Sequence, residues 1–365
     1  MSKGRNSNIE ILRIISMIMI VANHYVIHGI KQWGTASQYL QYALHTNGIK
    51  VFWSFLEPGG EVGVAIFFII AGFFASTKTK LPYKVIISTV FYSAMSFVLF
   101  GILTFTVNRQ YSILSVGDYL YTVLKTILNP VSSGIYWFIT VYCIIYILSP
   151  MIKRFTDSIG TKGLFILLCF SWAFLYFFQE MSEGTFYTIY KGLLFFSIGI
   201  FLSRIKKTTS RFWALALFVF SWLLNSFAIF WITEVEFVAC VDDTKIKLIA
   251  RLLSSISTGV FVPIAAVSIF VFFISFEPFN NKFINFVGDK TLGVYLLHDN
   301  ALLRPYLWFC VSLVRDKVKI EPVICCVIIL FIFCLGVAIE SLRKLLFKNR
   351  TEDRLRTLVN KIISM

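Results

Sequence analysis

Apolar runs of about 20 residues recur along the whole chain, separated by short polar connectors. A helix needs about 20 predominantly apolar residues to cross the hydrocarbon core of a bilayer. A window of about 19 residues places candidate spans at 8–28, 61–77, 83–106, 134–152, 161–178, 186–203, 211–232, 247–275, 283–313 and 320–345. The pattern predicts an all-α fold, a polytopic membrane helical bundle of about ten transmembrane helices.

Composition supports this fold and excludes three other classes of protein. Apolar residues make up 58% and charged residues 15% of the chain, whereas soluble domains average about 45–50% and about 25%. A soluble globule could not cover so much apolar surface, and disordered chains lack such aliphatic and aromatic content. The net charge is +15, but the cations are dispersed among apolar runs, so binding to nucleic acid is not expected.

The distribution of cations predicts the orientation. With the N-terminus inside, 21 of the 34 Lys and Arg residues fall at inner ends and connectors and 11 in outer connectors. This bias follows the positive-inside rule and predicts that both termini are cytoplasmic. Glu10 and Arg13 interrupt the apolar core that a signal peptide would need, so the first span is expected to be a retained helix.

Two connectors and the tail have recognisable compositions. The longest outer connectors are 29–60 and 107–133, and the aromatic residues and His45 in the first suit an interfacial helix or a lid. The segment 351–365 has apolar residues at helical spacing with cations between them. It is expected either to lie on the anionic inner leaflet or to be frayed.

Four ionisable residues occur in the first span: Glu10, Arg13, His24 and, at its outer edge, His28. Since a helix advances about 100° per residue, all four fall in one narrow stripe. An Arg at mid-helix costs about 2.5–3.5 kcal/mol on insertion scales, so the stripe must face the protein interior or a water-filled cavity. Arg13 and His24 are separated by about 16 Å along the axis. His28 is expected in the headgroup region.

The first-span residues allow structural as well as functional interpretations. Glu10 and Arg13, at i,i+3, can pair, and that pair could simply hold the bundle together. His24 could be a buried histidine with satisfied hydrogen bonds.

The ninth span is too polar to face lipid. It contains Tyr295, His298, Asp299, Asn300 and Arg304. These residues form either a functional site or an internal hydrogen-bonded knot. Pro305 removes a backbone donor and is expected to break the helix there.

Two further segments have a plain structural alternative. The fourth span begins GIYWFITVY, in which Tyr136 and Trp137 could belong to an interfacial aromatic belt. The second span contains FFIIAGFF, in which Ala71 and Gly72 could let two helices approach closely. The seven cysteines form no CxxC pair, and we expect buried hydrophobes rather than metal ligands or disulfides.

Together these segments resemble the integral-membrane acyltransferase-3 family, bacterial O-acetyltransferases that modify surface polysaccharides. IEILRIISMIMIVANHY is similar to the family's first helix, with an Arg and a His separated by ten residues, here Arg13 and His24. FFIIAGFF resembles its FF-x-x-SG-[FY] motif, YWFITVYCIIYILSP its Trp-Phe motif ending in Pro, and GVYLLH its late Tyr-Leu-x-His segment. The resemblance covers about 8–345 and implies a membrane acyltransferase domain over 1–345, followed by a basic cytoplasmic tail over 346–365.

The resemblance implies acyl transfer from cytoplasmic acetyl-CoA to a sugar hydroxyl of a surface or lipid-linked polysaccharide, in the bacterial plasma (inner) membrane and without a metal. It makes His24 the catalytic histidine and Arg13 its essential partner, with Glu10 paired to Arg13. The expected substrate-binding residues are Asn23, Tyr136, Trp137, Tyr295, His298, Asp299 and Arg304. Many members carry Arg-x-x-Arg in the first inner loop; here Lys78, Lys80 and Lys84 are the expected cofactor-binding residues.

Two other functions remain open at this stage. A polar-substrate transporter would explain the polar stripe as a substrate path, although no paired halves with matched broken helices are visible. A membrane glycosyltransferase or polysaccharide polymerase would use acidic groups at the outer face, where Glu57 and Glu61 are the available pair.

Overall fold

The structure is a computed structural model that describes residues 5–31, 46–77, 82–102, 117, 121, 136–177, 185–205, 210–238, 244–300, 302–315 and 321–347. Every regular element in these ranges is helical, which confirms the predicted all-α class. The helices are α1 (Ser7–Val26), α2 (Asn47–Leu56), α3 (Gly59–Phe73), α4 (Tyr83–Ile102), α5 (Trp137–Phe177), α6 (Thr185–Arg204), α7 (Arg211–Val238), α8 (Thr244–Ile256), α9 (Val262–Ile274), α10 (Lys282–Gly288), α11 (Thr291–His298), α12 (Arg304–Arg315) and α13 (Glu321–Phe347), with π-helical turns at Ile27–Lys31 and Ser257–Phe261.

Seven helical segments of the described chain are long and apolar enough to cross a membrane. They are Ser7–Lys31, Asn47–Phe73, Tyr83–Ile102, Trp137–Phe174, Arg211–Glu234, Leu248–Ile274 and Glu321–Phe347. The protein is therefore a multi-pass membrane bundle. The count of ten spans and the cytoplasmic placement of both termini stay predictions, and the predicted tail 351–365 lies outside the described residues.

The predicted ninth span over 283–313 is wrong as a continuous helix, because the chain forms α10, α11 and α12 instead. The Oδ1 atom of Asn300 accepts from the backbone N–H groups of Leu302 (3.0 Å) and Leu303 (3.3 Å). That cap starts a new helix before the proline is reached. Pro305 then lies in the first turn of α12, where a missing N–H costs little, so the break precedes Pro305 rather than occurring at it.

The second span also starts earlier than predicted. The expected start was residue 61, whereas α2 and α3 follow each other with only Glu57 and Pro58 between them. Pro58 fixes its own φ and has no N–H to donate, so the two helices meet at a short turn. The predicted outer connector 29–60 therefore contains α2, and its His45 lies outside the described residues.

Close helix packing at the FFIIAGFF segment is confirmed. A Cβ added to Gly72 of α3 would lie 1.8 Å from the carbonyl oxygen of Phe196 on α6. A Cβ added to Gly199 of α6 would lie 2.1 Å from the carbonyl oxygen of Ile69 on α3. The two backbones are in direct contact, which only residues without a side chain permit.

The α1 helix lies at the centre of the bundle and packs against α3, α9, α10, α11 and α13. Three glycines at the start of α3 give its contact with α1. A Cβ at Gly59 would lie 2.6 Å from the Met19 carbonyl oxygen, and one at Gly63 would lie 2.7 Å from the Ser16 carbonyl oxygen. The helix with the polar stripe is therefore the central one. This placement keeps its charged side chains away from lipid, where they would cost free energy.

The connector predicted over 153–162 is helical except at one residue. The α5 helix runs through it and is interrupted only at Gly160, whose φ of 65° lies in the left-handed region. Glycine adopts that region without the Cβ clash of other residues. The spans predicted at 134–152 and 161–178 are thus two arms that meet at Gly160.

The predicted orientation can be tested by cysteine labelling in a cysteine-free background. Ser158, exposed beside Gly160, is expected to be cytoplasmic, whereas Asn47, at the start of α2, is expected outside. A membrane-impermeant maleimide added to intact cells should label Asn47→Cys and leave Ser158→Cys unlabelled until the cells are opened. Labelling of Ser158→Cys in intact cells would contradict the orientation.

Candidate active site

Two histidines from opposite ends of the chain are in contact at the centre of the bundle. The Nδ1 atom of His24 on α1 lies 3.0 Å from the Nε2 atom of His298 at the end of α11. The ring centroid of His24 lies 5.0 Å from that of His298 and 5.1 Å from that of His28 in the π-helical turn. His28 and His298 are both buried, so the three rings form one enclosed histidine cluster.

A charged pair lies beside this cluster. The Asp299 Oδ1 atom is 3.7 Å from His24 Nδ1 and 3.9 Å from His28 Nε2. The Arg304 Nη1 atom lies 3.3 Å from the same carboxylate oxygen and 3.4 Å from His28 Nε2. The carboxylate and the guanidinium compensate each other next to the rings, as buried charges require.

The cluster also has the spacing of a possible metal site, because ligand atoms of His24, His28 and Asp299 lie within 4.8 Å of one another. Arg304 approaches two of these three ligand atoms. A guanidinium in that position supplies the positive charge that a metal would bring and would repel a divalent cation.

Hydrogen bonds from Tyr136, the residue directly before α5, fix the chain break that carries the cluster. The Tyr136 hydroxyl donates to the Leu296 carbonyl oxygen (2.7 Å) and accepts from Asn300 Nδ2 (2.5 Å). The Oδ1 atom of the same Asn300 accepts from the turn that leads into α12. Tyr136 and Asn300 together therefore tie the end of α11 to the start of α5 and to this turn, which holds His298 and Asp299 in place.

The predicted pairing of Glu10 with Arg13 is confirmed. The Arg13 Nη1 atom donates to Glu10 Oε1 at 3.0 Å, and Arg5 Nε donates to the same oxygen at 3.2 Å. Glu10 is buried, whereas 27% of the Arg13 side chain is exposed. Arg13 is therefore held by Glu10 at the wall of an open space.

That space is a cavity of about 770 Å³ at the end of the bundle where α1 begins, the end predicted to be cytoplasmic. Cations dominate its polar lining: Arg5, Arg13, Lys84, Lys282, Lys290, Arg343 and Lys344. The apolar lining includes Met17, Phe67, Phe138, Tyr142 and Tyr295. The cavity thus combines a cationic region with an aromatic one.

The aromatic region of the cavity leads to the histidine cluster. Tyr295 lines the cavity, and its ring lies edge-on to that of His298 at a centroid distance of 6.2 Å. Phe138 packs against the other side of Tyr295 at 5.4 Å. One tyrosine ring therefore separates the cavity from the cluster.

The charges lining the cavity do not cancel. Asp289, in the turn between α10 and α11, bonds to Lys344 (2.6 Å) and Arg5 (3.1 Å). Burial raises the pKa of the Asp289 carboxyl, but the bond and charge of Lys344, with Lys290 and Arg5, outweigh it and hold that pKa below its usual value. This carboxylate stays ionised at neutral pH, and the lining still has more cations than anions.

A buried polar network supports the cavity wall from α13. The Glu340 carboxylate accepts from Arg343 Nε (2.7 Å) and from the Tyr92 hydroxyl (2.9 Å), and Arg343 also bonds to Ser88. Glu340 packs directly on Gly293 of α11, where a Cβ would meet its side chain at 2.6 Å. The cationic wall and the helix that carries His298 are therefore in contact.

The structure does not bring all predicted residues to the cluster. Asn23 points toward α3 and donates to the Glu57 carbonyl oxygen at 2.7 Å. Trp137 is partly exposed and packs on Phe138. Lys84 lines the cavity, whereas Lys78 and Lys80 lie outside the described residues. The roles assigned to these residues stay predictions.

The sequence reasoning missed two parts of this region. His28 was expected among lipid headgroups, but only 8% of it is exposed and it lies in the cluster. The helical stripe had already placed His28 at an angle around the helix axis close to that of His24. Lys282, Lys290, Arg343 and Lys344 were not assigned to any site, because they come from connectors and the last helix, and no single pattern joins them.

We expect strong coupling between Glu10 and Arg13. Removing either charge leaves its partner partly unpaired in a buried region, so the double replacement Glu10→Gln/Arg13→Gln should cost less than the two single losses added together. The coupling free energy should be about 0.5–3 kcal/mol. A double-mutant cycle on the thermal unfolding of purified protein measures it, and additive losses would contradict the pairing.

Comparison with known proteins agrees with this geometry. A family model described as an acyltransferase domain, that of the acyltransferase-3 family, matches residues 6–341. No curated protein and no solved structure matches the chain. The matched region contains the histidine cluster, the Glu10–Arg13 pair and most of the cavity lining. The chain therefore belongs to the integral-membrane acyltransferase-3 family.

Proposed function

We propose that this membrane acyltransferase is an O-acetyltransferase, which moves an acetyl group from cytoplasmic acetyl-CoA to a sugar hydroxyl of a surface or lipid-linked polysaccharide. One observation carries the proposal: a cationic cavity at the predicted cytoplasmic end leads through an aromatic wall to His24 and His298. Such a site suits a donor that is anionic at one end and reactive at the other.

The cationic region supports a coenzyme A thioester as the donor. Its phosphate groups would bind among the cations, where Arg5 and Arg13 offer a bidentate fork and the lysines offer point charges. The polar stripe of α1 rises about 16 Å from Arg13 to His24. A donor with a long, flexible arm between its phosphates and its thioester spans that distance.

The cluster supports general-base catalysis on a hydroxyl. A sugar hydroxyl is protonated at neutral pH, so attack on a thioester needs a group that accepts its proton, and neutral imidazole does this. In the proposed reaction His24 takes the proton as the hydroxyl oxygen bonds to the carbonyl carbon. The carbon–sulfur bond then breaks, and the leaving thiolate receives the proton from His24.

Asp299 is placed to stabilise His24 after it has taken the proton. When His24 is protonated, its new positive charge lies 3.7 Å from the Asp299 carboxylate. That attraction stabilises the imidazolium without a full hydrogen bond. Arg304 shares the carboxylate and limits the effect, which favours return of the proton to the thiolate.

The cavity cations are expected to affect donor binding more than turnover. Lys84 and Lys282 are exposed at the cavity, so replacing each with Gln should raise KM for acetyl-CoA about threefold to tenfold and leave kcat nearly unchanged. Arg154→Gln, an exposed cation on α5 outside the cavity lining, is the matched control. Equal KM values for all three variants would contradict donor binding in this cavity.

Transfer of label from acetyl-CoA tests the function directly. Membranes containing the protein should move a radioactive acetyl group to envelope polysaccharide, and mass spectrometry should find O-acetylated glycans only in cells that carry the gene. Glycans of altered chain length or sugar content with unchanged acetylation would instead favour a glycosyltransferase. Membranes that take up sugar without modifying it would favour a transporter.

A further inference from the structure

We propose that His298 is a positioning residue that fixes the tautomer of His24, so that His24 carries its proton on Nδ1 and presents an unprotonated Nε2 to the acceptor hydroxyl. The proton placement follows from the contacts of the two rings. Its catalytic consequence rests on the function proposed above. This role differs from the substrate binding predicted for His298 from the sequence.

The His298 ring carries its hydrogen on Nδ1. Its Nδ1 atom lies 2.6 Å from the carbonyl oxygen of Val294, one turn earlier on α11. A carbonyl oxygen only accepts hydrogen bonds, so Nδ1 of His298 must carry the hydrogen. In the neutral ring the other nitrogen, Nε2, is then an acceptor.

The acceptor on His298 determines where the hydrogen lies on His24. The His298 Nε2 atom lies 3.0 Å from His24 Nδ1, and an acceptor there requires a donor opposite. His24 therefore carries its hydrogen on Nδ1, and its Nε2 keeps a lone pair. Both rings are enclosed, and burial disfavours the charged form of imidazole, so a neutral pair is favoured over a protonated one.

Among the described residues, no charged or titratable group other than His298 can accept the His24 Nδ1 hydrogen. The charged and titratable groups around His24 are His28, His298, Asp299 and Arg304. The nearest carboxylate oxygen, on Asp299, is 3.7 Å away and lies closer to Arg304, which is too far for a hydrogen bond. Of the residues that the structure describes, His298 is the one within hydrogen-bond distance of that nitrogen.

The consequence for catalysis is one of orientation. A general base must present its lone pair toward the proton that it removes, and in histidine the bond made by one nitrogen decides the state of the other. The Val294 carbonyl of α11 thus determines, through the His298 ring, which nitrogen of His24 is free to accept a proton. Without His298, His24 loses the acceptor that holds the hydrogen on Nδ1.

Nitrogen-15 NMR of the full-length protein in lipid bilayers tests the proton placement without measuring activity. The chain has four histidines, and the signals of His24 can be identified by their loss in His24→Gln. We expect a protonated Nδ1 and an unprotonated Nε2 for His24 in the parent. His24 protonated on Nε2 in the parent would overturn the proposal, whether or not any variant folds.

Two variants then test the role of His298. His298→Phe keeps a ring but has no acceptor, so Nδ1 protonation of His24 should be lost and kcat should fall about 10²–10⁴-fold, with KM for acetyl-CoA unchanged. His298→Gln offers an amide oxygen as acceptor and should recover at least about tenfold of that loss. An unchanged His24 signal in His298→Phe, or equal loss in both variants, would show that His298 is only structural.

The NMR and transfer results separate the two proposals. A parent with the expected tautomer but no transfer of acetyl label would leave the ring geometry intact and defeat the proposed function. A parent that transfers label with the opposite tautomer would defeat only the role of His298.

Discussion

Replacement of His24 by Ala is expected to lower acetyl transfer about 10²–10⁴-fold, because the reaction loses its general base. Binding of acetyl-CoA should change little, since the cations proposed to bind its phosphate end line the cavity around Arg13. The expected result is therefore a fall in kcat at nearly constant KM for the donor.

Transfer from labelled acetyl-CoA in membranes with equal amounts of each variant measures this effect. His28→Ala provides the comparison, because its ring is 5.1 Å from that of His24 but contacts Arg304 instead of His298. We expect an intermediate loss for His28→Ala, through disturbance of Arg304. If His24→Ala transfers label as well as the parent, or only His28→Ala is inactive, the base has been assigned to the wrong ring.

Replacement of Gly72 by Ala is expected to prevent accumulation of folded protein. The added methyl group would lie 1.8 Å from a backbone oxygen of α6, and no rotation of a side chain can relieve that contact. Because α3 and α6 must separate, the cost should exceed the usual overpacking penalty of about 1–3 kcal/mol. Gly199→Ala, on the other side of the same contact, should behave alike.

The matched control is Gly48→Ala in α2, where an added Cβ meets nothing within 4 Å. Alanine is about 1 kcal/mol better than glycine in a helix, so this variant should be as stable as the parent or slightly more so. Fluorescence size-exclusion chromatography after heating ranks the three variants. Parent-like melting of Gly72→Ala would show that the two backbones are not in contact.

The sequence predicted those parts of the site that lie on one helix. Glu10, Arg13 and His24 share a stripe because helical periodicity fixes their angles around the axis. The free-energy cost of charged groups in lipid makes that stripe face the protein interior. Their pairing and central placement follow from these two facts. The same reasoning placed His28 at the right angle but at the wrong depth, because burial depends on α12 and its Arg304.

Contacts between distant segments could not be predicted in this way. His298 is 274 residues from His24, and the sequence of neither helix indicates that the two helices pack together. The break after α11 also depends on a tertiary contact, since Asn300 bonds to Tyr136, directly before α5, as well as to the turn that leads into α12. The cavity also joins distant segments, and of its lining cations only Arg13 and Lys84 had been assigned to a site from the sequence.

The glycine contacts of α3 determine how the protein can respond to bilayers of different thickness. A helix whose hydrophobic length does not match the bilayer normally adapts by tilting. Tilt of α3 against α1 or α6 is sterically blocked, because backbone meets backbone at Gly59, Gly63, Gly72 and Gly199. Hydrophobic mismatch must therefore be absorbed by tilt of these three helices as one body, by lipid deformation or by the outer helices, so that the position of His24 relative to α3 and α6 stays the same in thin and thick membranes.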